Sequence, residues 1–220
     1  MKTVGVILAG SGVYDGSEIH EVVLTMLALD KRNVKMVLMA PNIDQHHVIN
    51  HITGQEMKET RNVLVEAARI ARGDVKDIKE VKLSDLDAIM IPGGFGVAKN
   101  LCNFAFKGEN CDIEPSISDF LVQVAKESKP LGAVCISPVL VSKIYETIGK
   151  KTELTIGKDA ETADKVEKMG NIHISCEVKE FHIDKENKIV SSPAYMLGQN
   201  ISEVAEGIDK TVEALVALID

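Results

Sequence analysis

The chain has 220 residues, 45% of them apolar, which suits one α/β domain spanning residues 1–220 with a core between helix layers. Acidic residues outnumber basic ones 33 to 25, for a formal charge of −8, and the basic residues are scattered, which excludes a phosphate-backbone footprint and a nucleic-acid partner. Aromatic residues make up only 4%, with no Trp, so the core must be built from Val, Ile, Leu, Ala and Met, the residues of parallel strands covered by helices.

The pattern predicts a buried strand over 4–9, a helix over 18–29 capped by Ser17, a strand over 34–40 and a helix over 57–71. A strand over 87–91 leads into PGGFG (92–96), then a helical stretch from Val97 towards Phe106 and a helix over 116–128. Lys129-Pro130 stops that helix before a strand over 131–134, which runs directly into Cys135. Beyond it, 138–145 reads as a helix, 153–156 as a strand and 162–169 as a helix ended by Gly170. The segments 172–177, 180–184 and 189–192 read as strands and 202–218 as the closing helix. This alternation implies a three-layer sandwich around a mostly parallel sheet.

The apolar run in MKTVGVILAGSG ends at Gly10, too short for a secretion signal, and no later run approaches a membrane span. The expectation is a cytoplasmic protein with no membrane partner. Cys102, Cys111, Cys135 and Cys176 contain no CxxC or CxxH pattern, so they read as free thiols rather than a zinc site or a disulfide framework. His46, His47 and His51 lie close together but lack an HExxH arrangement and read as surface or hydrogen-bonding groups; no metal is expected.

In open parallel sheets ligands bind beyond the carboxyl ends of the strands, which directs attention to the loops 10–18 (GSGVYDGSE), 92–96 (PGGFG) and 134–138 (VCISP). Cys135 ends a strand and almost at once a helix begins, with Pro138 in its first turn, the pattern of a nucleophile elbow. A helix N-terminus lowers a thiol's pKa, so Cys135 is expected to be ionised near neutral pH. The backbone N–H groups of Gly93, Gly94 and Ile136 are candidates to bind an oxyanion. Glu18 and Glu21 both open a helix, where either could complement the dipole or stand beside the thiol. Glu18 borders the glycine-rich loop and is the preferred carboxylate, with Glu21 as the second candidate.

Taken together, GVILAGSGVYDGSEIHE, NHITGQEMKETRNVLVEAARIARG, IPGGFGVAKNLCNFA, KPLGAVCISP and KIVSSPAYMLGQNI resemble, across nearly the whole chain, the ElbB family. These are the enhancing-lycopene-biosynthesis proteins of the PfpI-like, class I glutamine amidotransferase-like superfamily. The resemblance implies a flavodoxin-like fold with a nucleophile elbow, a cytoplasmic bacterial setting and a homodimer. It also implies a glutathione-independent glyoxalase, converting glyoxal or a similar small dicarbonyl metabolite to a hydroxyacid without a cofactor, or a deglycase with the same readout, and a link by name to isoprenoid biosynthesis. Cys135 then matches the elbow nucleophile, the Glu18 region the first-helix glutamate, and PGGFG the oxyanion side. The sequence departs from the hydrolases of that superfamily where Ile136, not histidine, follows the cysteine, and LTIGKD (154–159) contains no histidine either. Acyl transfers that need a histidine are therefore not expected. The alternative expectation is a non-catalytic redox-sensing or regulatory protein with a modifiable cysteine.

Overall fold

The structure is a computed structural model that describes residues 1–219. Strand β1 (Thr3–Ile7) is followed by helix α1 (Ile19–Lys31), β2 (Lys35–Ala40), α2 (Val63–Ile70) and a short β3 (Lys76–Asp77). The middle of the chain supplies β4 (Ala88–Ile91), α3 (Phe104–Lys107), α4 (Pro115–Lys126), β5 (Leu131–Val134) and α5 (Pro138–Thr147). Then come β6 (Glu153–Leu154), α6 (Ala160–Lys168), β7 (Ile172–His173), β8 (His182–Asp184), β9 (Ile189–Ser192) and α7 (Ile201–Ala217).

Seven strands pair in the order β3-β2-β1-β4-β5-β9-β8, parallel throughout except for β8, which runs antiparallel to β9. Strands β6 and β7 form a separate parallel pair. The strand order reverses between β1 and β4, and right-handed crossovers place helices on opposite faces either side of that point. Accordingly α1 packs on α7, and α4 on α5. This is a flavodoxin-like three-layer sandwich. Strands β4, β5 and β9 are buried along their whole length, which is why the runs AIMI and LGAV carry no alternation. Among the described residues no helix is long and apolar enough to cross a membrane.

Several local expectations are corrected. The helix expected over 57–71 starts only at Val63, where the Asn62 side chain accepts from the Val65 N–H at 3.1 Å. The preceding residues are instead tied to the loop after β2, with Met57 N donating to Val48 O and Gln45 N to Arg61 O, both at 2.8 Å. The helical stretch after Val97 is a π-helical turn, Val97–Leu101, that stops at an extended Cys102 before α3. Ser17 does not cap α1. Its hydroxyl accepts from Ala9 N at 2.8 Å and folds the first loop back on β1, while the Glu18 side chain takes the capping role.

Candidate active site

The carboxyl ends of β1, β4 and β5 meet where the strand order reverses, and the loops that follow them are laced together by backbone bonds. Glu18 N donates to Gly93 O at 2.8 Å, Phe95 N to Val13 O at 2.8 Å and Gly96 N to Gly16 O at 2.9 Å. Cys135 leaves β5 with φ of +62°, a left-handed conformation that is unfavourable for a residue with a β-carbon. The turn is held there from three sides. Cys135 N donates to Ser192 O at 3.0 Å, Ser137 N to Val134 O at 3.1 Å, and the buried Ser137 hydroxyl to Pro92 O at 2.8 Å. Pro138 then opens α5 without forfeiting a hydrogen bond. The elbow read from the sequence is present as geometry.

The carboxylate beside the sulfur is Glu21, not Glu18. Glu21 is fully buried, hydrogen-bonds the Cys135 thiol, and accepts from Gly93 N at 2.8 Å and from Tyr195 N at 3.1 Å. Glu18 points its carboxylate along the helix, where Oε2 accepts from Glu21 N at 2.7 Å. A helix start separates the two roles: the N-cap side chain bends back to the first-turn N–H groups, and three residues later the next carboxylate looks inward. The preference for Glu18 as the acid at the thiol is thus reversed. Gly93 likewise has another task than the one expected, because its N–H is taken by Glu21. It must be glycine, since a β-carbon there would stand 2.6 Å from Glu21 Oε2 and 2.8 Å from Cys135 Sγ. The backbone groups that do point at the sulfur are the N–H of Gly94 and the N–H of Ile136.

Burial sets the protonation of this pair. Glu21 is pushed up to about 7, chiefly by desolvation and also by the charge of Glu18, against the stabilising N–H of Tyr195. Burial and then the Glu21 charge hold the Cys135 thiol well above its ordinary range, outweighing the Gly94 and Ile136 N–H groups. The expectation of a thiolate ionised at neutral pH is corrected accordingly: the resting pair carries its charge on Glu21.

Cys135 opens onto a cavity of about 430 Å³. Its walls are mostly apolar, from Val13, Phe95, Ala98, Phe104, Ile136 and Met196, with Asp159, Thr162 and Tyr195 as the polar-bearing side chains. No histidine lines it among the described residues. Tyr195 escaped the sequence reading. It follows β9, a fourth parallel strand whose carboxyl end reaches the same rim, and its hydroxyl lies 2.8 Å from His20 Nδ1. Including the loop after every parallel strand would have found it. Asp159 caps α6 by accepting from Thr162 N at 2.8 Å. The histidines of 46–51 stay outside the cavity. His51 Nε2 accepts from Tyr14 N at 3.2 Å, and the His46 and His47 rings gather around Phe106. Among the described residues no group of three or more potential ligands could hold a metal ion.

No protein-family profile matches the sequence. The human glutamine amidotransferase-like class 1 domain-containing protein 3, mitochondrial, is 37% identical over 225 aligned positions, covering 98% of this chain and 82% of the human protein. The chain belongs to the family of this protein. The rat ES1 protein homolog, mitochondrial, another member, is also 37% identical and covers 98% of this chain and 83% of its own. Both relatives carry a mitochondrial name, a compartment other than the cytoplasm expected from the sequence. Among solved structures, an isoprenoid biosynthesis protein with an amidotransferase-like domain from Ehrlichia chaffeensis is 40% identical, covers 100% of both chains and superposes with a TM-score of 0.94. Glyoxalase III of Candida albicans, at 15% identity, covering 100% of this chain and 98% of its own with a TM-score of 0.62, shares the fold. The chain thus shares its α/β sandwich with both solved structures.

Proposed function

We propose that this chain is a glutathione-independent, cysteine-dependent enzyme of the glyoxalase type, converting 2-oxoaldehydes to 2-hydroxyacids. The observation that carries the reading is the Cys135–Glu21 pair, set at the mouth of an apolar cavity with two backbone N–H groups aimed at the sulfur. As Cys135 Sγ bonds to the aldehyde carbon, its proton passes to Glu21, and the N–H groups of Gly94 and Ile136 hold the new oxyanion of the hemithioacetal. Glu21 returns that proton to the oxyanion, then removes the hydrogen from the former aldehyde carbon and delivers it to the neighbouring carbonyl carbon, while the hydroxyl proton of the first carbon passes to the oxygen of the second. The substrate is oxidised at one carbon and reduced at the next, leaving a thioester of the hydroxyacid. Water cleaves the thioester and restores the thiol, so the net change is addition of one water. No amine has to leave, and the chemistry asks neither for a histidine nor for a cofactor.

The cavity refines the substrate. Spaces of about 300–1,000 Å³ accommodate molecules far larger than glyoxal, and apolar walls favour an apolar substituent on the reacting dicarbonyl. The name of the Ehrlichia chaffeensis protein, which points to isoprenoid metabolism, agrees with a substrate that has such a body. A redox-sensing role for Cys135 is less well supported, because sensor thiols are low-pKa and accessible, whereas this one is buried beside a carboxylate. The test is hydroxyacid formation from glyoxal and phenylglyoxal without glutathione, followed by NMR. Turnover of both is expected, with the higher kcat/KM for phenylglyoxal. Absence of product from the wild type, or undiminished product from Cys135→Ala, would sink the proposal.

A further inference from the structure

A pair of cysteines lies behind the α3 wall of the cavity. Cys102 and Cys111 are both buried and close enough to influence each other, and the Cys102 thiol donates to Val97 O at 3.3 Å. Local backbone pairing explains the meeting. Cys102 bridges to Ile113 in antiparallel fashion, flanked by Asn103 N donating to Asp112 O at 3.1 Å and Glu114 N to Leu101 O at 2.9 Å. Residues two apart in an extended segment share a face, so Cys111 lies on the same face as Ile113, diagonally across from Cys102. Between the two cysteines the chain loops out through α3, whose Phe104 and Ala105 form part of the wall of the Cys135 cavity.

The two thiols are unlike. Cys111 borders a surface recess of about 450 Å³ together with Lys143. The neighbouring Cys102 thiol and the Lys143 ammonium favour the Cys111 thiolate against the effect of burial. The Cys111 neighbour and burial hold the Cys102 thiol up, and its proton is engaged by Val97 O. One sulfur is therefore prepared to react first and the other to resolve.

We infer that Cys102 and Cys111 form a peroxide-sensitive dithiol whose oxidation to a disulfide tightens the α3 wall of the active-site cavity. The Cys111 thiolate attacks one oxygen of a hydroperoxide, breaking the O–O bond to give a sulfenic acid and, once the leaving oxygen takes up a proton, water or an alcohol. The Cys102 thiol then displaces the sulfenic hydroxyl, which departs as water with the Cys102 proton. The sulfurs together lose two electrons and the peroxide gains them. Diagonal partners of this kind stand about 7 Å apart at Cα, the upper end of what a disulfide spans, so closing the bond draws in the intervening segment and with it Phe104.

The experiment uses the full chain as Cys135→Ser, so that the elbow sulfur cannot compete. After hydrogen peroxide and alkylation of remaining thiols, peptide mapping is expected to show Cys102 linked to Cys111, with Cys176 alkylated. Hydrogen exchange at residues 103–110 is expected to slow several-fold on oxidation and to recover with a dithiol reductant. The additional substitution Cys111→Ser should abolish the change in exchange and leave Cys102 alkylatable. Two results would overturn the inference: Cys102 and Cys111 both still alkylatable after peroxide treatment of the folded protein, or a linked pair without any change in exchange over 103–110. Neither readout depends on turnover at Cys135.

Discussion

The two cysteine sites of this protein lie on either side of one cavity wall and are polarised in opposite directions. Cys135 has the geometry associated with reactive thiols, an elbow at a helix start with two N–H groups directed at sulfur, yet its thiol is held up because Glu21 faces it in a buried space. Cys111 has no elbow, yet its thiol is pulled down by the neighbouring Cys102 and by Lys143. What decides protonation is the charge that faces the sulfur, and the elbow only decides what the sulfur can reach.

That contrast can be broken most directly at Cys135. Cys135→Ala is expected to lower phenylglyoxal turnover to background while leaving Cys102–Cys111 oxidation intact. Glu21→Gln separates the two functions of the carboxylate. Loss of the proton carrier should reduce kcat/KM by about 10²–10⁴-fold, while removal of the facing charge should shift alkylation of Cys135 by iodoacetamide to lower pH. If alkylation keeps its wild-type pH dependence, the assignment of the facing charge is wrong. In the wild type, kcat/KM should rise as pH passes through about 7, where Glu21 ionises.

Stability carries the same signature. A carboxylate at 4.5 in the unfolded chain and at about 7 in the fold favours the folded state while it is neutral. That contribution is complete below the unfolded value and is lost as pH rises to about 7, on the order of 3 kcal/mol in all. Thermal melts should therefore show Glu21→Gln gaining on the wild type between pH 5 and pH 8; a constant offset would refute the buried charge. Glu18→Ala is a smaller change. Loss of the cap should cost about 1 kcal/mol, and removal of its repulsion should move the activity midpoint of Glu21 to lower pH with turnover largely kept. Smallest of all, Lys143→Gln should slow peroxide oxidation of Cys111 a few-fold without altering Cys135 alkylation.

The sheet was legible because its central strands are short apolar runs with clear stops. Leu131–Val134 sits between Pro130 and the elbow, and Ile189–Ser192 follows a polar turn, so both are recovered at their bounds. Strand β3 carries only Lys76 and Asp77 and gives no apolar signal. The helix start at Asn62 was hidden because Met57, Val63 and Val65 continue one another's periodicity, and only loop pairing shows where it begins. At the site, Cys135 and the three rim loops could be read from strand ends. The choice between Glu18 and Glu21 could not, because both satisfy the same helix-start rule and only the third dimension shows which one looks inward. The Pro-Gly-Gly turn suggests a free N–H at Gly93, whereas what demands glycine there is the closeness of Glu21 and Cys135. Charge was the hardest to foresee, since a local rule about helix ends competes with the desolvation of a partner that lies far away in sequence.

The +62° backbone at Cys135 has an evolutionary corollary. Glycine adopts that angle freely, so Cys135→Gly relieves a penalty of about 1 kcal/mol and makes this the one position where discarding the sulfur is rewarded by the fold itself. A lineage that ceased to use the thiol would be expected to slide towards glycine at 135. Keeping a β-carbon at 135 is a standing cost to the fold, and the cysteine is retained against that cost.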